Sequence, residues 1–234
     1  MEHAPTTWLL SLPFLSNDPA FLHVNGAIVV FLGILAFSLI AHMGIRGKIE
    51  DRIIPSTKFS IGTLAELIVE SLYGLVDGIM GHHGREHFSF IAAIFIFILS
   101  SNLLGILPFS ASPSTNTNTT FAVAILTFVY YNLMGIKSHG LIGYGKHFLM
   151  GLGILGLPIA LIEMISHAIR PISLGVRLFL NLHVDHELLS NFSALQAWLL
   201  PIPLLILGLF VCTVQAFLFS VLSAVYIQMA TEHE

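Results

Sequence analysis

Charge is what this chain has least of. Of its 234 residues only 9% are charged, while 56% are apolar; a soluble domain carries roughly 25% charged residues. From Phe88 to Ile136 there is no Asp, Glu, Lys or Arg, and the same holds from Leu188 to Thr231. A soluble domain of this size lacks the interior to hide such stretches. A bilayer accepts them, since its core takes about 20 apolar residues per helix. Cysteine is nearly absent as well. Lone Cys212 excludes an intrachain disulfide and reads as a small packing residue. No P-loop is present, which argues against ATP chemistry on this chain. Met1-Glu2-His3 lacks the basic start of a cleaved signal. No basic stripe suggests nucleic-acid binding, and the net charge of -4 carries little information.

What is present is a series of apolar runs at 25–45, 88–108, 119–136, 148–190 and 198–231. Backbone groups in lipid must bond within their own segment, so the runs are expected to be helices. The fold expected is an all-α integral membrane domain with five crossings. Ser110–Asn118 and the shorter Ser190–Ser193 read as polar connecting loops. Helices over 148–190 and 198–231 would be roughly 64 and 51 Å long, against a hydrocarbon core of about 30 Å. They are therefore expected to tilt steeply, bend or run partly along the membrane, with Pro158 and Pro171 as bend points and Pro201 and Pro203 at a helix start.

Residues 62–82 follow another pattern. Leu64, Leu67, Ile68, Leu72, Leu75, Val76, Ile79 and Met80 recur at helical spacing, with Glu66, Glu70, Tyr73 and Asp77 opposite. This predicts an amphipathic helix on the membrane surface. Basic residues set the orientation. Arg46, Lys48, Arg52, Lys58, Arg85, Lys137 and Lys146 all fall on one side if 1–24 is external, which predicts the N-terminus outside and the C-terminus in the cytoplasm.

Those seven leave two of the nine basic residues, Arg170 and Arg177, inside the apolar hairpin. An Arg at the bilayer centre costs on the order of 2.5–3.5 kcal/mol by insertion scales, so it calls for a function or a partner. Glu163, Arg170 and Arg177 are seven apart and share a helix face, with Ser166 and Ser173 near it. Asn181, Asp185, His186 and Glu187 follow, and Gln215 is the central polar residue of the last run. A line of such groups through lipid depth reads as an ion path. Carboxylates and imidazoles relay protons near neutral pH. A guanidinium does not, so Arg177 would act as a barrier and counter-ion. Gln215 is placed to bond a guanidinium across the hairpin. His83-Gly-Arg-Glu86-His87 fits an inverted zinc-protease pattern, but Gly84 interrupts the helix it needs, and no metal site is expected.

The segment Arg170-Pro-Ile-Ser-Leu-Gly-Val-Arg177-Leu-Phe-Leu-Asn181 resembles the arginine motif of subunit a of F-type ATP synthases. Val214-Gln215 through Tyr226-Ile-Gln-Met-Ala resembles that family's last helix. Asn102-Leu-Leu-Gly-Ile-Leu-Pro108 with Pro113–Thr120 resembles its central part, and Leu67–Glu70 through Arg85 its surface helix. The resemblance spans about residues 60–231. It implies two offset aqueous half-channels set against a rotating c-ring, a peripheral stalk of b subunits, indirect contact with the catalytic head, and no cofactor. It places the family's essential arginine at Arg177, its glutamate at Glu163, its asparagine at Asn181 and its glutamine at Gln215. Where some members carry Glu, this chain has His186; where some carry His or Glu, it has Gly208. On this mapping Asp185 and His186 line the inlet, Glu163 and Ser173 the outlet, and Arg170, Asn102 and Glu187 are secondary candidates. The setting implied is an energy-coupling membrane, the bacterial inner membrane, with proton as the expected ion. The competing reading is an independent ion-coupled secondary transporter. Inverted repeats would favour it, and none is visible.

Overall fold

A computed structural model describes residues 18, 21–45, 61–81, 84–106, 112–149, 156–195 and 201–231. Within those helices the side chains of 44–45, 61, 141–142, 145–149, 156–157, 159–160, 185–186, 189–195 and 201 are not described. The external segment proposed for 1–24 and the basic stretch Arg46 to Lys58 lie almost wholly outside the described residues.

Among the described residues the structure is all helical. Its helices are α1 (Leu22–Ile45), α2 (Ile61–Met80), α3 (Gly84–Ile106), α4 (Thr117–Leu149), α5 (Gly156–Leu195) and α6 (Pro201–Thr231), with a short 3-10 turn at Pro113–Thr115. Four stretches are long and apolar enough to cross a membrane: Leu22–Met43, Gly84–Ile106, Thr117–Gly140 and Ile202–Thr231. The chain is thus an all-α membrane protein. The run expected at 148–190 is not among the four, because α5 carries Glu163, Arg170, Arg177, Asp185 and Glu187.

Local chemistry explains the helix ends. Gly81 at φ 57 closes α2 in the left-handed conformation that glycine tolerates. Asn116 Oδ1 accepts from Asn118 N at 2.9 Å and caps α4. Pro201 and Pro203 stand in the first turn of α6, where a missing N–H costs nothing. Pro158 falls in the first turn of α5 as well, rather than within it, and α5 continues through Pro171. The loop expected at Ser190–Ser193 is helical, since α5 runs to Leu195. The run expected at 119–136 extends to Leu149, with a break at Gly140 (φ 73, ψ 164).

The core is built from small contacts between long helices. Ile94, Ile98, Ala124, Leu174, Leu178, Ala216 and Phe219 form one buried cluster. Val76, Met80, Ile91, Tyr131, Ala224 and Ile227 form a second, which joins α2 to α3, α4 and α6. On α2, Leu72, Val76 and Met80 are buried while Glu66, Glu70 and Asp77 are exposed, which matches the amphipathic expectation. Leu67 is 63% exposed and Leu64 is also open, so the first half of this helix presents apolar surface away from the bundle. Phe31, Met43, Ile206 and Phe210 are exposed too. Apolar surface on this scale is a liability in water and the expected coat in lipid. Several buried hydroxyls are satisfied locally: Thr127, Ser220 and Ser223 donate to the carbonyl four residues earlier, while the buried Ser101 hydroxyl has no partner among the described residues.

The break at Gly140 turns the end of α4 back on itself. A Cβ at Gly135 would lie 2.5 Å from Tyr144 Cε2 and 3.0 Å from the Ala230 carbonyl oxygen, so only glycine lets the Tyr144 ring and α6 close in together. Gly135→Val is expected to destabilise this end of the bundle by about 1–3 kcal/mol. A lower thermal midpoint of the purified protein would show it; an unchanged midpoint would refute the packing.

Candidate functional site

Polar side chains gather in two places along α5. The first is the middle of the helix. Arg177 is half-buried, one residue from the buried Leu178 and three from the buried Leu174. Asn181 Nδ2 donates to Gln215 Oε1 at 2.7 Å, which ties α5 to α6 one turn beyond the arginine. Gln215 is only 3% exposed. The bond expected between Gln215 and a guanidinium is thus made by Asn181 instead. The shorter amide on the facing turn matches Gln215 in reach and donor chemistry. Among the described residues the Arg177 guanidinium has no hydrogen bond and no ion pair within the chain. Ser173 and Glu187 are exposed. Asp185 and His186 belong to α5, but their side chains lie outside the described residues. Gly208 is half-buried, and a Cβ there would meet nothing within 4 Å, so the position leaves open space.

Asn102 lies on α3 against α6. Its Nδ2 donates to the Cys212 carbonyl at 3.5 Å, and its Oδ1 is buried with no partner among the described residues. Beside it, Ser112 Oγ donates to the Ser101 carbonyl at 2.7 Å and accepts from Ser114 N, which pins the 3-10 turn to the end of α3. Asn102 therefore acts as a link between α3 and α6.

The second gathering is a cavity of about 30 Å³, open to roughly two water molecules. Tyr131, His139, Tyr144, Glu163, His167, Arg170, Met229 and Ala230 line it. It lies where the end of α4, the start of α5 and the end of α6 meet. Arg170 stands 5.0 Å over the Tyr226 ring, a cation–π contact that gives this guanidinium an internal partner. Asn132 Nδ2 donates to the Phe128 carbonyl at 2.7 Å, which fixes the amide. Its Oδ1 accepts from Tyr144 OH at 2.9 Å and faces His167 Nε2 at 2.8 Å. Burial pushes the Tyr144 hydroxyl above the ordinary tyrosine value, against a smaller opposing pull from Arg170, so it remains a donor.

The structure thus brings Glu163 and Arg170 to one cavity and Asn181 and Gln215 to another contact, with Arg177 beside the latter. It does not bring Arg177 to the cavity. His167, Asn132, Tyr131, Tyr144 and Tyr226 had not been singled out as site residues. A spacing signal for one of them exists: His167 is four residues after Glu163 and three before Arg170, hence on their helix face. His87 of the protease-like pattern is buried and its Nδ1 lies 3.1 Å from Tyr130 OH, while His82 and His83 are outside the described residues. No group of three metal-ligating side chains occurs among the described residues.

The sequence model of the family described as "ATP synthase A chain" matches residues 26–228. The chain belongs to this ATP synthase family. Among its relatives, ATP synthase subunit a of Bdellovibrio bacteriovorus is 40% identical over 228 residues, covering 97% of this chain and 98% of that protein. ATP synthase subunit a of Trichlorobacter lovleyi is 36% identical over 225 residues, covering 96% and 97%. ATP synthase subunit a 3 of Pelobacter propionicus is 36% identical over 223 residues, covering 95% and 96%. A member of this family is a membrane-embedded subunit of an enzyme complex, not an enzyme by itself. The Asn181–Gln215 bond is the natural point to probe first, because it joins α5 to α6. In a double-mutant cycle on thermal stability, Asn181→Ala and Gln215→Ala are expected to show a coupling of about 0.5–1.5 kcal/mol. Strictly additive effects would mean that the bond contributes nothing.

Proposed function

We propose that this chain is the proton-translocating stator subunit of a rotary ATP synthase, and that Arg177 divides its two half-channels against a rotating c-ring. The carrying observation is the state of Arg177. A half-buried guanidinium midway along a helix in an apolar bundle, with no internal partner among the described residues, needs a counter-charge from outside the chain. A ring of c subunits that present acidic side chains at membrane depth supplies it. The family and the apolar helices support the membrane-sector role in ATP synthesis and proton transport.

The mechanism follows from the chemistry of each group. A proton enters past Asp185 and His186, side chains of types that relay protons. It neutralises a ring carboxylate, and the neutral site turns into lipid. When the site returns on the other side, Arg177 draws the carboxylate into its ionised form. The released proton leaves past Ser173 and Glu163. Arg177 stays charged throughout and blocks a direct run between the two paths. Asn181 and Gln215 hold α5 and α6 together at that level.

The α5 helix supplies the fifth crossing. Its 40 residues span roughly 60 Å, twice the hydrocarbon thickness, so it lies steeply tilted together with α6. By the positive-inside rule the N-terminus is outside and the C-terminus cytoplasmic, with α2 on the cytoplasmic surface. The setting is a bacterial inner membrane. Its partners there are the c-ring, the b subunits of the peripheral stalk and surrounding lipid, with the catalytic head reached through the complex.

Arg177→Ala is expected to leave the complex assembled and to abolish ATP-driven proton pumping, read as loss of acidification in inverted membrane vesicles. Normal pumping by that variant would end this reading.

A further inference from the structure

Arg177 and Glu163 are separated by fourteen residues on one continuous helix, roughly 21 Å along its axis. A proton transfer needs donor and acceptor within hydrogen-bond reach or bridged by one water. Glu163 alone therefore cannot receive a proton released near Arg177. The cavity supplies a group part-way into the gap, and water carries the proton over the remaining distance of roughly 15 Å along the helix. His167 lies one turn closer to Arg177 than Glu163 does, and both line the cavity, which has room for roughly two waters. Its ring is held firmly. Nε2 lies 2.8 Å from Asn132 Oδ1, and that oxygen also accepts from Tyr144 OH. Tyr131 and Phe128 pack on the same ring, with centroids 5.2 and 5.3 Å away.

We propose that His167 is a proton-relay residue of the outlet path, with Asn132 and Tyr144 as its positioning residues. This rests on the proton-translocating role proposed above. In each passage the imidazole takes up one proton from cavity water on the Arg177 side and becomes imidazolium. It then returns one proton to water on the Glu163 side and ends neutral, so no other group changes charge. An imidazole is suited to this because its ordinary pKa lies close to neutral. Its neighbours set the working value. From α4 these are Tyr131, Tyr144 and His139, from α5 Glu163 and Arg170, and from α6 Tyr226, whose ring contacts both Tyr131 and Arg170. Arg170 is the one fixed cation among them and Glu163 the one carboxylate. Gly135 completes the device, since its bare backbone lets the Tyr144 ring close over this end of the bundle.

The test uses the whole complex in inverted vesicles. His167→Gln keeps an amide donor for Asn132 Oδ1 and removes the titrating ring. It is expected to lower ATP-driven pumping roughly tenfold or more and to remove one ionisation from the pH–rate profile, with stator and ring still associated. In His167→Ala, added imidazole is expected to restore part of the rate. Asn132→Asp places a carboxylate beside the ring and is expected to move the remaining ionisation to higher pH. This variant carries the test if His167→Gln fails to assemble. Wild-type rate and profile in His167→Gln would overturn the relay, as would an unmoved profile in Asn132→Asp. Arg177→Ala, measured alongside, separates the two levels. If it pumps normally the underlying function fails; if it is inactive while the His167 and Asn132 variants behave as wild type, only the relay fails.

Discussion

A polar group inside hydrocarbon must find its partner within the protein or in trapped water, and the structure is arranged around that constraint. Each unsatisfied backbone or side-chain group in lipid costs several kcal/mol. Helices satisfy the backbone. Thr127, Ser220 and Ser223 then return their hydroxyls to their own helices. Amides reach across as well: Asn102 to the Cys212 carbonyl, Asn181 to Gln215, and Asn132, which also donates to its own helix at Phe128, to Tyr144 and His167. Each cross-helix bond fixes one pair of helices at one depth. Small residues such as Ala124, Ala216 and Ala224 fill the layers between them and let the helices approach.

The same rule separates the two arginines of α5. They share a helix face but not a solution. Arg170 lies over the Tyr226 ring and beside a water-sized cavity, so its charge is met inside the chain. Arg177 lies in the apolar middle and has no such partner among the described residues. A charge left open at that depth is stable only if something outside the chain completes it. A structural arginine would look like Arg170, and a functional one like Arg177. This contrast, more than the presence of arginine in an apolar run, directs the functional reading to position 177.

Much of this was legible in the sequence because membranes simplify the code. Absence of charge marked α3 and α6, and a 3.6-residue period marked α2 with its buried Leu72, Val76 and Met80. The helix that carries function was harder, since its charges lower its apolarity below that of its neighbours. Its end was misread because Ser190, Asn191 and Ser193 look like a turn by composition, yet the backbone stays helical to Leu195. The Asn181–Gln215 bond was within reach of spacing arguments, but its partner was assigned wrongly, as the sequence does not say which of two donors on adjacent turns wins. The cavity was not legible at all. His167 and Asn132 are 35 residues apart, and Tyr144 returns to Asn132 only because the backbone breaks at Gly140. No periodicity encodes such a fold-back.

The length of α5 turns these local facts into a directional device. On the proposed function this helix, roughly 60 Å long against a core of about 30 Å, leans, and a leaning helix carries its two ends to laterally different places. Groups near its start, Glu163 and His167, then meet water at one side of the membrane and at one lateral position. Groups near its end, Asp185 and His186, would then meet water at the other side and elsewhere. Between them stands a charge that cannot lose its proton. On the proposed function, lateral offset and a fixed cation together mean that no straight path joins the two waters, and a proton crosses only by riding a carrier that moves sideways. A perpendicular helix with the same residues would stack both sets of groups on one line and leave the arginine as the sole obstacle. In the proposed mechanism the tilt therefore counts as much as the guanidinium.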